Sequence, residues 1–256
     1  MVTSLTFRAG PVPTVTSFRL TWRPADAVRV IQAWQRWAPD GPDELAASLL
    51  VTVDGESLAG TMLGAEPATA ALLGDFAASA GAEPLSAVVR HLPFQEAKQV
   101  LDRADAPTGA TYIKSGFFDR HLPEEAITAI VDHLRADRVP GQARELDFTP
   151  WGGAYNRVPV HATAFAHRDA RFLLKHAVTV EAGPPDAARR WLTRSHGSVR
   201  GWGTGGVYPN FPDPDLTDWA TAYHGLNYPR LQRVKARYDP DGFFRFHQAI
   251  RPTDGR

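Results

Sequence analysis

The short connections between its apolar segments most constrain how this chain can fold. Leu49-Leu50-Val51-Thr52-Val53, the turn pair Asp54-Gly55 and the run Leu58 to Leu63 read as a β-hairpin with a tight loop. Further strand candidates are Thr14 to Trp22, Leu146 to Pro150, Ala164 to His167, Phe172 to Val180 and Gly206 to Phe211. Several lie too close to their predecessors for a parallel crossover, which takes about a dozen residues or more. Between them run helical patterns. From Pro24 to Trp37, Val28, Ile31, Trp34 and Trp37 recur every third residue, with proline in the first turn. Other helices are expected over Ala68–Ala77, Glu124–Leu134, Asp186–Ser195, Leu216–His224 and Tyr228–Tyr238, the last stopping at Asp239-Pro240-Asp241-Gly242. The expectation is an α+β fold, a mostly antiparallel sheet with helices packed on one face.

Composition narrows the function classes. The 256 residues are 43% hydrophobic and 22% charged, enough for a packed core. The 28 basic and 28 acidic residues cancel, so no basic surplus points to a nucleic acid or an anionic membrane. With no cysteine, disulfides, thiolate metal sites and a cysteine nucleophile are ruled out. No apolar run reaches the roughly 18–20 residues of a membrane helix. The first residues lack the apolar stretch of a secretory signal, so a cytoplasmic location is expected.

Few motifs carry obvious chemistry. Gly201-Trp202-Gly203-Thr204-Gly205-Gly206 precedes a strand candidate rather than a helix, the wrong order for a dinucleotide fingerprint, and reads as a loop whose glycines serve backbone geometry. Asp213, Asp215 and Asp218 lack the glycine and closing glutamate of a calcium loop and suit turns and helix caps. His161, His167 and His176 have no metal-pair spacing, so the metal expectation is none and each reads as solvated or hydrogen-bonded. Tyr208-Pro209-Asn210-Phe211 is more informative: on a strand, Tyr208 and Asn210 share a face while Phe211 takes the other. Two readings stand. One is a buried tyrosine satisfied by the neighbouring amide; the other is a substrate-facing phenol acting as acid or base. Asn227 ahead of Pro229 likewise reads as a helix N-cap or as part of a site.

The tail Tyr208-Pro209-Asn210-Phe211-Pro212-Asp213 is similar to the Tyr-x-Asn-Tyr/Phe-x-Asp segment of the berberine-bridge-enzyme-like FAD-linked oxidases. Trp219, Tyr223 to Leu231, Val234-Lys235, Tyr238-Asp239-Pro240, Phe243-Phe244 and Gln248 continue the resemblance in order, as do Trp151-Gly152-Gly153-Ala154 and Phe165-Ala166-His167-Arg168 upstream. His224 and Phe211 depart from the commoner tyrosines of the family. The resemblance covers essentially the whole chain and corresponds to the family's C-terminal half. The N-terminal half, which cradles the FAD pyrophosphate and adenine and supplies the flavin tethers, has no counterpart here.

The resemblance implies a substrate domain over residues 1–205 and a berberine-bridge-enzyme-like segment over residues 206–256 that returns toward an FAD domain. It implies oxidation of a small-molecule alcohol, of sugar or natural-product type. Tyr208 would take the hydroxyl proton while hydride passes to flavin. Asn210, Asn227 and Tyr228 would be the cofactor contacts. FAD is therefore the implied cofactor, not expected to be retained by this chain alone, and a separate FAD-binding polypeptide is an implied partner. The alternative is a non-catalytic small-molecule-binding or partner module. A phenol, ordinarily with a pKa near 10, needs a donor or cation nearby to act as a base at neutral pH. Arg157, shortly after Gly152-Gly153, is the candidate for that role.

Overall fold

The computed structural model describes residues 3–8, 10–11, 14–102 and 108–253. Seven strands, β1 (Thr14–Trp22), β2 (Leu45–Thr52), β3 (Glu56–Met62), β4 (Ser86–Pro93), β5 (Ala110–Phe118), β6 (Gln142–Pro150) and β7 (Phe172–Val180), form one sheet in the order β4-β1-β3-β2-β6-β7-β5. Every pairing is antiparallel. The expected hairpin is β2–β3, with Val51 opposite Glu56 across its turn.

Alternation along the strands gives the sheet two unlike faces. Phe18, Leu20, Trp22, Ala47, Leu49, Val51, Leu58, Leu146 and Phe148 face one way and form the main core. Helices α1 (Ala27–Trp37), α2 (Glu66–Ala80), α4 (Glu124–Arg135) and α5 (Asp186–Arg200) cover that face. In α1, Ala27, Val30, Ile31 and Trp34 follow the helical repeat and are all buried. Trp34 packs on Phe148 and Phe172 and donates its indole N–H to the Ala47 carbonyl at 3.0 Å, so its one polar atom is satisfied inside the core. Arg135, in the last turn of α4, donates to the Pro24 carbonyl and ties α4 to the start of α1. Among the described residues, no helix is long and apolar enough to cross a membrane.

Three elements were not foreseen: β4, α3 (Phe94–Asp102) and β5. Two foreseen strands are absent. Ala164 to His167 is irregular, with a tight turn in which the Arg168 N–H reaches the Ala166 carbonyl. Gly206 to Phe211 is also irregular, because Pro209 and Pro212 lack ladder donors and the Phe211 N–H turns back to the Tyr208 carbonyl at 2.9 Å. The remaining helices are α6 (Trp219–His224) and α7 (Tyr228–Tyr238).

Candidate active site on the uncovered face of the sheet

Strand β5 is an edge strand, and the glycine-rich loop runs along it. Phe117 donates its N–H to the Gly206 carbonyl at 3.0 Å, and Thr204 donates to the Phe117 carbonyl at 2.9 Å. The glycines are required by close approach. A Cβ on Gly206 would lie 2.5 Å from His167 Nδ1, and one on Gly203 would lie 3.0 Å from the Phe117 carbonyl oxygen. This loop delivers the chain to Tyr208 at the corner of the sheet opposite the helices.

There Phe117, Ala170 and Leu173 form a small second core, with Trp151, Phe165, Tyr208 and Phe211 packed on it. The Tyr208 ring meets Trp151 at 5.3 Å and Phe211 at 5.2 Å, both edge to face, and Phe117 and Phe165 lie slightly farther off. The phenol is half-buried and Asn210 is exposed. Asn210 Nδ2 donates to the Tyr208 hydroxyl oxygen at 2.8 Å, so the structure brings the two sequence candidates together through a turn rather than a strand. Both sequence readings meet here: the amide satisfies the phenol, and the pair still lies on the face of the sheet opposite α1, α2, α4 and α5.

Neighbouring groups set the electrostatics. Lys175, on β7, bonds Glu145 and Asp147 of β6 at 3.0 Å each, with Nζ 5.9 Å from the Phe211 ring centroid. Burial alone would lower its pKa, but Asp147 and Glu145 outweigh this and raise it, so the ammonium stays charged. His167 stacks on Phe117 at 4.5 Å and donates from Nε2 to the Tyr223 carbonyl at 3.2 Å; burial lowers its pKa and favours the neutral ring. The other two histidines are also hydrogen-bonded, His161 to Asn227 and His176 to Ser195.

The segment is fastened behind the phenol. Tyr208 donates its N–H to Ser115 Oγ at 3.3 Å, and the Asp213 carboxylate takes two bonds of 2.7 Å from Lys114 Nζ. Tyr223 Oη accepts the Asp213 N–H at 2.8 Å, and Gln248 donates to the Asp213 carbonyl at 2.8 Å. Burial raises the Tyr223 phenol pKa, which keeps that hydroxyl protonated. Lys114, Phe117, His196, Val207 and Asp213 line a cavity of about 410 Å³ on this side. Sequence reasoning gave Asp213 a turn role and passed over Lys114. The signal was a lysine at a core-facing position of a β-like run.

Other candidates fall elsewhere. Asn227 is buried, but among the described residues its side chain makes no helix-capping bond. Its amide donates to the Val160 and Thr163 carbonyls at 2.8 and 3.2 Å, and its Oδ1 accepts from His161 Nδ1 at 2.8 Å. Asn227 is thus an internal fastener of the 160–163 loop, a role neither sequence reading anticipated. Tyr228, half-buried, stacks on His224 and meets Trp219 edge to face. Arg157 is exposed and bonded to Asp43 at 2.7 Å, so this contact occupies the cation proposed for the phenol.

Residues 207–251, which hold Tyr208, Asn210, Asp213 and the α6–α7 tail, match the family model described as berberine and berberine like. The chain is 33% identical over 258 residues to an uncharacterized FAD-linked oxidoreductase, YgaK, of Bacillus subtilis, covering 98% of this chain and 56% of the relative. It is 28% identical to a chitooligosaccharide oxidase of Gibberella zeae, covering 96% of this chain and 54% of that protein. The structure of aclacinomycin oxidoreductase superposes with a TM-score of 0.83 at 25% identity, over 94% of this chain and 56% of that one. Sheet, corner site and tail are thus similar to a portion of FAD-linked oxidoreductases. The chain carries a berberine and berberine like segment and is similar along nearly its whole length to FAD-linked oxidoreductases, of which it spans a little over half the length.

Proposed function

We infer that the chain is the substrate-facing portion of an FAD-dependent oxidase of a small-molecule alcohol, with Tyr208 as the base. The observation that carries the reading is a half-buried phenol on the sheet face opposite the main core, packed by Trp151, Phe165 and Phe211, with the Asn210 amide on its oxygen. In this reading the Tyr208 hydroxyl oxygen takes the proton of a substrate hydroxyl. Asn210 orients that oxygen and steadies charge on it. The aromatic rings exclude water from one side.

The residues present suit a flavin ring, since a phenol, an exposed carboxamide and half-exposed aromatic edges offer hydrogen bonds and stacking to a planar heterocycle. When bound, FAD supplies the acceptor for the hydride. Asn210 and Tyr228 are the residues that would meet it. Asn227, its amide committed inside the chain, acts through the loop it fastens.

The FAD-binding half is expected to dock on the tail, whether it comes from the same polypeptide or a separate one. Every residue of α7 is at least partly exposed, and Leu226, Tyr238, Phe243, Phe244 and Phe246 are each more than half exposed. So much exposed aromatic surface in one stretch suits a protein interface.

The test is Tyr208→Phe in the enzyme assembled with an FAD-binding half. The expected loss in kcat is about 10²–10⁴-fold, the range for general-base terms, with KM little changed because the ring and its packing survive. Near-normal turnover would sink the base assignment. Absence of any flavin-dependent turnover in the assembled wild type would favour the binding-module reading.

A further inference from the structure

Tyr208 and Asn210 stand on neither a strand nor a helix, so something other than a ladder of backbone bonds has to fix the phenol. We propose that Lys114, through its buried ion pair with Asp213, is the positioning residue that sets where the Tyr208–Asn210 pair stands. The proposal rests on the role given to Tyr208 above.

Lys114 and Ser115 are consecutive residues of edge strand β5, so their side chains leave opposite faces of the sheet. Ser115 accepts the N–H of Tyr208 on the face opposite the main core. Lys114 grips both carboxylate oxygens of Asp213 on the helix side, five residues further along. The chain between must therefore cross the edge of β5, carrying the phenol and the amide over it. Pro209 and Pro212 fix two of the intervening φ angles, which leaves the segment little slack once both ends are held.

Lys114 and Asp213 side chains are 9% and 8% exposed, so solvent screens the pair little. Asp215 also approaches Lys114 Nζ, at 3.2 Å, but its side chain is 63% exposed and its hold is correspondingly weaker. A closed ring of bonds surrounds Asp213: its N–H to Tyr223, its carbonyl from Gln248, and the Tyr223 hydroxyl to Gln248 Oε1 at 3.3 Å. Stability alone is a poor reason for such a pair. Apolar residues of similar volume often do as well once desolvation is counted, whereas fixing one geometry is a task for which a directional pair is suited.

The test uses the full chain with the double variant Lys114→Met/Asp213→Leu, which removes both buried charges; Asp215 loses its contact with Lys114 and the Asp213 acceptor of its N–H, but its exposed side chain keeps access to water. Amide hydrogen exchange and melting temperature are measured together. The expected result is a melting temperature close to the wild type, with exchange at Tyr208, Phe211 and Asp213 faster by roughly tenfold or more and β1–β3 unchanged. Loss of ring-proton contacts between Tyr208 and Trp151 should accompany it, whereas the single variant Lys114→Arg, which keeps a cation on the Asp213 carboxylate, should leave both as in the wild type.

If exchange in the segment rises only in step with a global loss of stability, or not at all, the pair is merely structural and the proposal fails. Should the double variant not fold, Asp213→Asn, which keeps one accepting oxygen, carries the same test at smaller amplitude. The two ideas separate cleanly. Normal turnover by Tyr208→Phe would remove the base and leave the anchor, while unchanged exchange in the double variant would remove the anchor and leave the base.

Discussion

The two faces of the sheet are made by the same strands and do different work. Toward the helices, alternate residues of β1, β2, β3 and β6 are large and apolar, and they interlock with α1, α2, α4 and α5. On the other side the same strands present mostly polar residues such as Arg19, Ser48, Ser57, Asp147 and Glu145, although Val15 and Ser17 are buried there, and the corner over β5 and β7 carries an aromatic cap. Apolar burial of about 25 cal/mol per Å² accrues mainly on the first face, which therefore holds the fold. The second face is left able to meet a ligand and a partner. Substitutions should respect that division: those on the helix side should cost stability, and those on the other side should change recognition and chemistry.

The largest contrast is between two tryptophans. Trp34 is wholly buried between Phe148 and Phe172, and Trp34→Ala should destabilise the chain by about 3–5 kcal/mol. Trp151 is half-buried on the opposite corner, and Trp151→Ala should cost clearly less in denaturant titration while stripping one wall from Tyr208. Equal losses would mean that the aromatic cap belongs to the folding core after all.

How much of this was legible follows the same division. The helix-covered face announced itself, because Phe18-Arg19-Leu20 alternate and Ile31 and Trp34 of the expected three-residue series are fully buried, while Val28 and Trp37 of that series are only partly so. Strand β5 was not legible. Lys114 sits at a core-facing position, and its partner Asp213 is 99 residues away, so the local pattern looked wrong for a strand. Tyr208 and Asn210 do stand side by side, but not for the reason that the strand pattern suggests. Their neighbourhood comes from a turn between two prolines, which period-two reasoning turns into a false strand. The amide of Asn227 showed nothing in sequence, since its three partners lie more than sixty residues upstream.

Glu56 is where the helix side breaks its own rule. It is 1% exposed at the start of β3, and neither carboxylate oxygen finds a donor among the described residues. Burial raises its pKa from 4.5 to about 7, with Arg135 pulling the other way. The unfolded chain therefore ionises this group first. Stability is unaffected below about pH 4, falls as the pH climbs from about 4.5 to 7, and stays reduced above that. Glu56→Gln should raise stability at pH 8 by on the order of 2–3 kcal/mol and change little at pH 4. A gain of the same size at both pH values would show that shape, not charge, is the cost.

Lys175 offers a smaller test on the other face. It holds Glu145 and Asp147 together, and Lys175→Met would leave two carboxylates side by side, about a quarter exposed each. A loss of roughly 1–2 kcal/mol is expected, since the orphaned charges keep some access to water. The loss should shrink as the pH drops through the carboxylate range and the two groups take up protons. A pH-independent loss would point to the lysine's packing against Phe211 instead.

The smallest effect expected is at Arg157. Its guanidinium and the Asp43 carboxylate are exposed partners, with the arginine pKa raised and the aspartate lowered by their mutual hydrogen bond and charge. Exposed pairs of this kind gain little, because water and salt screen them and two long side chains must be held still. Arg157→Ala should leave the melting temperature within error, and in the assembled enzyme it should leave the pH profile of kcat where it was. That profile is the discriminating measurement. If Arg157→Ala moved its basic limb while Asn210→Ala did not, the phenol would be answering to a cation across the loop. The amide 2.8 Å from its oxygen would then be a spectator.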